Sequence, residues 1–411
     1  MQPTIAPASP KILNLLVVTA ALGYFVDIYD LILFSIVRVP SLQSLGFSGA
    51  DLLEKGVLLL NMQMIGMLLG GILWGIWGDK RGRVSVLFGS ILLYSIANIA
   101  NGLVQSIDAY AIWRFIAGIG LAGELGAGIT LVAETLPTEK RGYATMIVAT
   151  VGVSGAVFAG LISEYFAWRT AFFSGGILGL LLLILRMRVY DSRLFEQIKT
   201  HAIQRGKFFS LFSNRACFTK YLKCILIGIP LWFVVGILVT FSPEITRALG
   251  ASGTVVAGRA VMFCYGGLVV GDFLSGTLSQ YFRTRKKVVF AFLILSSVAI
   301  VVNFMMGAAT AAHYYLLYFV MGIACGYWVV FVTIAAEQFG TNLRATVATT
   351  VPNFVRGSVV LLTLSFKYLT EQFGVLSAAA VLAVCVMTIA FVALFFLEET
   401  AKKELDFLEP L

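Results

Sequence analysis

Residues 75–83 read Gly-Ile-Trp-Gly-Asp-Lys-Arg-Gly-Arg, four charged side chains within nine positions, set between the apolar runs 56–78 and 84–105. So polar a stretch between two such runs marks a turn at a membrane surface. Each run has the roughly 20 residues that a helix rising 1.5 Å per residue needs to cross ~30 Å of hydrocarbon. The alternation continues in both directions. Twelve segments qualify, at 12–36, 56–78, 84–105, 109–133, 142–165, 170–189, 220–242, 254–281, 288–308, 312–337, 344–367 and 374–397. One long hydrophilic stretch, 190–219, divides them six and six. The expected fold is an all-α membrane protein with twelve transmembrane helices arranged as two pseudo-symmetric six-helix bundles. Residues 1–189 form the first bundle, 190–219 a cytoplasmic linker, and 220–411 the second bundle with a short cytoplasmic tail.

Composition requires the same solvent. Of 411 residues, 59% are hydrophobic and 12% charged, about half the charge of an ordinary soluble domain. That much apolar surface needs a lipid bilayer as partner, because too few polar residues remain to cover it in water. The net charge of +9 does not indicate nucleic acid, since the bases punctuate apolar runs and do not gather on one domain. With the N-terminus inside, the segments on the inner side carry 21 Lys and Arg and those on the outer side six. This asymmetry places both termini in the cytoplasm. The run after Lys11 continues past Asp27 and Asp30 without a basic start before it, so it reads as an uncleaved first span.

No metal or cofactor is indicated. The five cysteines form no C-x-x-C pair and lie mostly inside apolar runs, and His201 and His313 stand far from any of them. A G-x-x-x-x-G-K-[ST] phosphate loop is absent, which argues against an ATP-driven machine. Nor does any nucleophile–base constellation of an integral-membrane enzyme occur.

The two halves repeat. Glu134 and Arg141 bracket ETLPTEKRG after the fourth span, and Glu337 and Arg344 bracket EQFGTNLRA after the tenth. Both members are displaced by 203 residues (337−134 and 344−141). An acid and a base at equal spacing in equivalent places indicate an internal duplication.

These strings carry a family resemblance. The loop Gly75…Gly78-Asp79-Lys80-Arg81-Gly82-Arg83 resembles the G-x-x-x-D-[RK]-x-G-R signature of the major facilitator superfamily. Arg114-x-x-x-Gly118-x-Gly120, the Glu134…Pro137…Arg141-Gly142 run and Trp168-Arg169 are also similar to it. Within that family, Asp27-Ile-Tyr-Asp30 and Gly118-Ile-Gly-Leu-Ala-Gly-Glu124 resemble proton symporters of sialic acid, aromatic acids and other metabolites, though Ile28 stands where Gly is common. Tyr29-Asp30 with Arg114 is similar to a pair in the sugar porters. The loop signature of the second half is degenerate, with Gln280 near the place of Asp79, and span five lacks the Gly-Pro pair of drug antiporters. The resemblance implies alternating access by a secondary transporter in the inner or plasma membrane, acting as a monomer on a small metabolite together with protons.

Ionisable side chains inside spans are costly, so each is a candidate for function. Asp27 and Asp30 share a face of the first span. Asp30, with Arg114 as partner, is the expected proton site, Asp27 the alternate acid, and Glu124 either a further carboxylate of the path or a satisfied structural acid. Asp272 falls near the inner end of the eighth span. In the eleventh span Thr346, Thr349, Thr350, Asn353 and Arg356 form a polar stripe. Arg356 with Asn353 could hold a carboxylate, or Arg356 could be structural. Thr349, Tyr265, Trp232 and Tyr327 are candidates to line the substrate cavity, against the alternative that the aromatics only pack. Uptake of an organic anion with protons is the expected function, with a neutral sugar or zwitterion as the alternative. Asp79, Arg83, Glu134 and Arg141, with Glu337 and Arg344, are expected to form the ion pairs that close the cytoplasmic side.

Overall fold

Helix is dictated by the solvent, since a segment in hydrocarbon must satisfy every backbone N–H and C=O within itself. The computed structural model describes residues 15–135, 138–187, 208 and 210–401. Its helices are α1 (Leu15–Ser44), α2 (Asp51–Arg81), α3 (Arg83–Leu103), α4 (Ile107–Leu121), α5 (Glu124–Thr135), α6 (Thr138–Tyr165) and α7 (Trp168–Arg186). After the region expected as a linker, most of which lies outside the described residues, come α8 (Arg215–Leu226), α9 (Ile229–Phe233) continuing as a π-helical turn Val234–Val239, and α10 (Ser242–Ala248). Then follow α11 (Ala257–Tyr281), α12 (Lys286–Met305), α13 (Ala311–Cys325), α14 (Trp328–Glu337), α15 (Thr341–Phe373) and α16 (Val375–Phe395).

Eleven helical stretches among the described residues are long and apolar enough to span a membrane. The expected fourth span, 109–133, is not among them. It breaks at Ala122-Gly123 into α4 and α5, of 15 and 12 residues, each short of the roughly 20 needed. Three further segments differ from expectation. The first span runs on to Ser44 and does not stop at 36. The seventh is interrupted at Ile227-Gly228 and again by the π turn. The tenth breaks at Gly326-Tyr327, the place in its half that Gly123 holds in the other.

Turn chemistry explains two sharp reversals. Gly82 (φ 98°) alone separates α2 from α3, and Gly374 (φ 80°) alone separates α15 from α16. Only glycine adopts such angles without steric cost, which accounts for Gly82; residues 75–81, expected as part of the turn, continue α2. The N-terminus of α12 is closed from a distance. Glu399 accepts the Arg285 and Lys286 amides (2.9 and 3.2 Å) and the Thr284 hydroxyl (2.5 Å).

Packing in the two halves follows one pattern. The helix α2 lies along α4, and α11 along α13. A methyl group at Gly66 would collide with the Phe115 carbonyl, and one at Gly118 with that of Gln63. In the second half Gly267 meets the Phe319 carbonyl and Gly322 that of Cys264 in the same way. Small residues let the backbones touch, which is how helices associate where lipid removes the hydrophobic drive. The halves meet along α2–α15, α6–α11 and α1–α11.

Candidate functional site

Midway along α1, Asp27 is fully buried and faces Arg356 of α15, 1% exposed, with 3.9 Å between carboxylate and guanidinium. This is the one ion pair among the described residues that joins the halves deep in the interior. Sequence reading assigned the two residues separate roles and missed the pairing. Neither Asp27 oxygen has a hydrogen-bond partner among the described residues. At this spacing the pair attracts without the directional bonds of a closed Arg–carboxylate fork. Arg356 also lies 5.8 Å over the Trp328 ring and 3.5 Å from Asn353 Oδ1.

The polar stripe on α15 faces the other half for much of its length. Asn353 donates to the Ala122 carbonyl (2.9 Å), one of the carbonyls at the α4–α5 break, and to Thr349 O (3.0 Å). Thr349 packs on Gly126 of α5. Thr350 turns inward, accepting from the Tyr221 hydroxyl (2.8 Å). Pro352 sits inside α15, where its missing N–H loosens the helical ladder one residue before Asn353.

The expected Asp30–Arg114 pair is less direct. Both are fully buried, and their charges interact. They make no ion pair, however, because Arg114 donates to Gln63 Oε1 and lies over the rings of Phe34 (4.8 Å) and Phe172 (5.8 Å). Gln63 in turn donates to Leu31 O (3.2 Å). Asp30 faces Gly175 and lies by the buried Asn98 amide.

Glu124 has a partner the sequence did not suggest. Arg186, counted there among the bases of the inner surface, is 2% exposed and grips Glu124 with both nitrogens, at 2.9 and 2.5 Å. It also donates to Thr19 O (2.9 Å). Gly23 makes room for the pair, since any side chain there would overlap both groups. That glycine was the available signal.

Trp328 is not the only aromatic residue near Arg356. Tyr265 and Tyr24 lie within electrostatic range of Arg356. Trp232 is 3% exposed, and its indole N–H has no partner among the described residues. Tyr327 is committed elsewhere, donating to Ile227 O (3.0 Å) at the break in the seventh span. Asp272, placed by sequence near the inner end of its span, is buried within the protein. It is 1% exposed and lies against the start of α14, with Oδ1 accepting from Val329 N (3.2 Å).

Of the expected gate, the side chains of Asp79, Arg83, Glu134, Arg141 and Arg344 lie outside the described residues. Glu337 pairs with Arg285 (3.4 Å) and accepts from Thr400 (2.7 Å), both in its own half. At the opposite end of the helices, the Ser44 end of α1, contacts do cross between halves. Arg38 is fully buried, donates from one guanidinium nitrogen to both Glu244 oxygens (2.8 and 2.9 Å) and to Thr240 O (3.3 Å), and lies 4.6 Å over Phe241. Arg259 pairs with Glu164, and Thr363 bonds Asn61 (2.5 Å).

A polytopic helical membrane protein with buried charges at the meeting of two halves belongs to the class of transporters. The sequence matches the Major Facilitator Superfamily model over residues 20–351, and the chain belongs to that family. It is similar to a protein of Haemophilus influenzae named for metabolite transport, at 28% identity over 94% of this chain and 96% of the relative. A protein of Cupriavidus pinatubonensis named for 4-methylmuconolactone transport is 27% identical over 79% of this chain and 76% of its own length. The sialic acid transporter NanX of Escherichia coli matches at 28% over 47% of each chain. Among solved structures, a D-xylose–proton symporter superposes with a TM-score of 0.71 at 18% identity, covering 95% of this chain and 99% of that one. The protein is thus a multi-pass membrane transporter and not an enzyme.

Proposed function

We propose that the chain couples protons to the uptake of a small organic anion across the inner membrane, by alternating access of two six-helix bundles, residues 1–189 and 220–411. The carrying observation is Arg356 of one half facing Asp27 of the other at 3.9 Å, both buried, with the carboxylate otherwise unbonded. A substrate carboxylate entering this site competes with Asp27 for one guanidinium. If it wins, Asp27 is left an unpaired charge in low dielectric, which is strongly unfavourable unless it takes a proton. Anion and proton therefore bind together. Asp30, one turn along α1 and beside Arg114, is the acid through which that proton exchanges. Asn353 and Thr349 orient the anion, with Tyr265 and Trp232 as aromatic wall. The relative named for sialic acid, a carboxylic acid, supports an anionic cargo.

Both termini are cytoplasmic, so the Ser44 end of α1 is outside, and Arg38–Glu244, Arg259–Glu164 and Thr363–Asn61 form the outer closure. Asp79, Arg83, Glu134, Arg141, Glu337 and Arg344 form the inner one. The twelfth span is α4 and α5 together. The working unit is one chain.

Thermal shift of the purified protein against a metabolite panel tests the reading. A ligand at 100 times its Kd stabilises by ~2.7 kcal/mol. Carboxylates should stabilise the protein, more strongly at acidic pH, and Arg356→Ala should lose that shift. Asp27→Asn should end pH-driven accumulation in proteoliposomes while exchange continues. Stabilisation by neutral sugars that survives Arg356→Ala would replace the anion reading with the neutral-solute one.

A further inference from the structure

Among the described residues, four carboxylates are buried within the spans, Asp27, Asp30, Glu124 and Asp272, against four guanidiniums, Arg38, Arg114, Arg186 and Arg356, of which Arg38 is taken by Glu244. Arg186 belongs to Glu124, Arg356 faces Asp27, and Arg114 interacts with Asp30. Asp272 is left without a base. From α11 it lies at the break in the tenth span, where Gly326 packs directly on the Gly271–Asp272 backbone. Its Oδ1 accepts from Val329 N (3.2 Å), and the Trp328 amide also points to the carboxyl. Its Oδ2 is buried and has no partner among the described residues. Among the described residues, the groups that face it include Tyr24 from α1, the Cys325 thiol from α13, the two amides of α14, and Ser275 on its own helix, whose hydroxyl bonds the Asp272 carbonyl (3.2 Å). Arg356 lies 5.8 Å over the Trp328 ring, and Tyr24 is within electrostatic range of both Arg356 and Asp272.

We propose that Asp272 is a second proton-binding site of the transporter, in the second half, independent of the acids on α1. An acid without a base in low dielectric needs a cation. The occupant is a proton and not sodium or a substrate ammonium, because a metal ion would want several oxygens. Here Oδ1 accepts from the Val329 amide, and the Ser275 hydroxyl is already donating to a carbonyl. The proton sits on Oδ2, while Oδ1 keeps the amides of α14. Loss of the proton leaves a full negative charge at the positive end of that helix. The break at Gly326-Tyr327 thereby senses the protonation state, and it is also the point where Trp328 touches Arg356.

Infrared difference spectra between acid and alkaline pH, on the full-length protein in lipid, test this without any substrate, so the outcome is independent of the anion reading. Asp272→Asn keeps an oxygen for the α14 amides and should remove one protonated-carboxyl component. The double variant Asp27→Asn/Asp30→Asn, which leaves Asp272 in place, should retain that component even if Asp272→Asn fails to assemble. An unchanged spectrum in Asp272→Asn, or no protonated carboxyl in the double variant, overturns the proposal. Loss of the component on adding sodium chloride at fixed pH also overturns it and makes the site a sodium site.

Discussion

Glu244→Ala should open the Ser44 end of the helices further than Arg38→Ala, although both remove the same ion pair. The asymmetry lies in burial. Arg38 is fully buried, whereas the Glu244 side chain is 21% exposed. Removing Glu244 strands a guanidinium away from water, and breaking a buried pair in this way costs roughly 3–5 kcal/mol. Opening the halves returns Arg38 to solvent and relieves that cost, so the closed state loses roughly two to three and a half decades of population advantage at 1.4 kcal/mol per decade. Removing Arg38 leaves Glu244 able to reach water. The loss is then one charged hydrogen-bond set, about 1.5–3 kcal/mol, or one to two decades. A cysteine at Thr240, buried and accepting from Arg38 through its carbonyl, reports the opening by its labelling rate with a membrane-impermeant maleimide. The exposed Cys385 is replaced beforehand. Glu244→Ala should label fastest, Arg38→Ala next, and the parent slowest. Equal rates in all three would refute the latch, and a faster rate in Arg38→Ala would refute the burial argument.

Other consequences of the geometry are measurable in the same preparations. Gly322→Ala drives a methyl group into the Cys264 carbonyl and should cost about 1–3 kcal/mol, read as a lower melting temperature; an unchanged value would mean that the α11–α13 seam is looser than described. Glu124→Gln leaves Arg186 buried without its counter-charge and should cost about 3–5 kcal/mol, with partial recovery in Glu124→Gln/Arg186→Met; no recovery would argue against a charge-driven cost. Burial tends to raise the Glu399 carboxyl, but its bonds from Thr284 and the Arg285, Ala401 and Lys286 amides outweigh this and hold it below the usual glutamate value. The folded value is the lower one, so this stabilisation is present above the unfolded value and lost as pH falls through the folded one. Glu399→Gln should flatten that acid limb of the melting curve; an identical limb would remove the cap from the account.

The reversal at Gly82 and the places of most spans were legible because each is a local signal, composition over about twenty residues or a glycine among charges. The breaks at Ala122-Gly123 and Gly326-Tyr327 were not, although both sit at glycines. An apolar helix tolerates glycine in lipid, and nothing local distinguishes a packing glycine such as Gly118 from one where the helix stops. Arg186 was misread for a related reason. A base at the end of an apolar run looks like a surface charge until Glu124, far away in sequence, is seen to claim it. Asp27 and Arg356 were each recognisable as costly residues inside a span. That they face each other depends on how two halves dock, and periodicity within one helix carries no information about that.

Opposite charges that move together carry no current. Asp27 and Arg356 form such a couple, so rocking the halves around them with no cargo displaces no net charge through the membrane field, where one elementary charge is worth ~2.3 kcal/mol per 100 mV. Replacing their mutual attraction by an anion on Arg356 and a proton on Asp27 keeps the sum at zero. In that stoichiometry the membrane voltage does no work on the cargo, and the pH difference alone sets how far it can be concentrated. A proton carried on Asp272 in the same cycle would add one positive charge to the moving set, and the voltage would then pull inward as well.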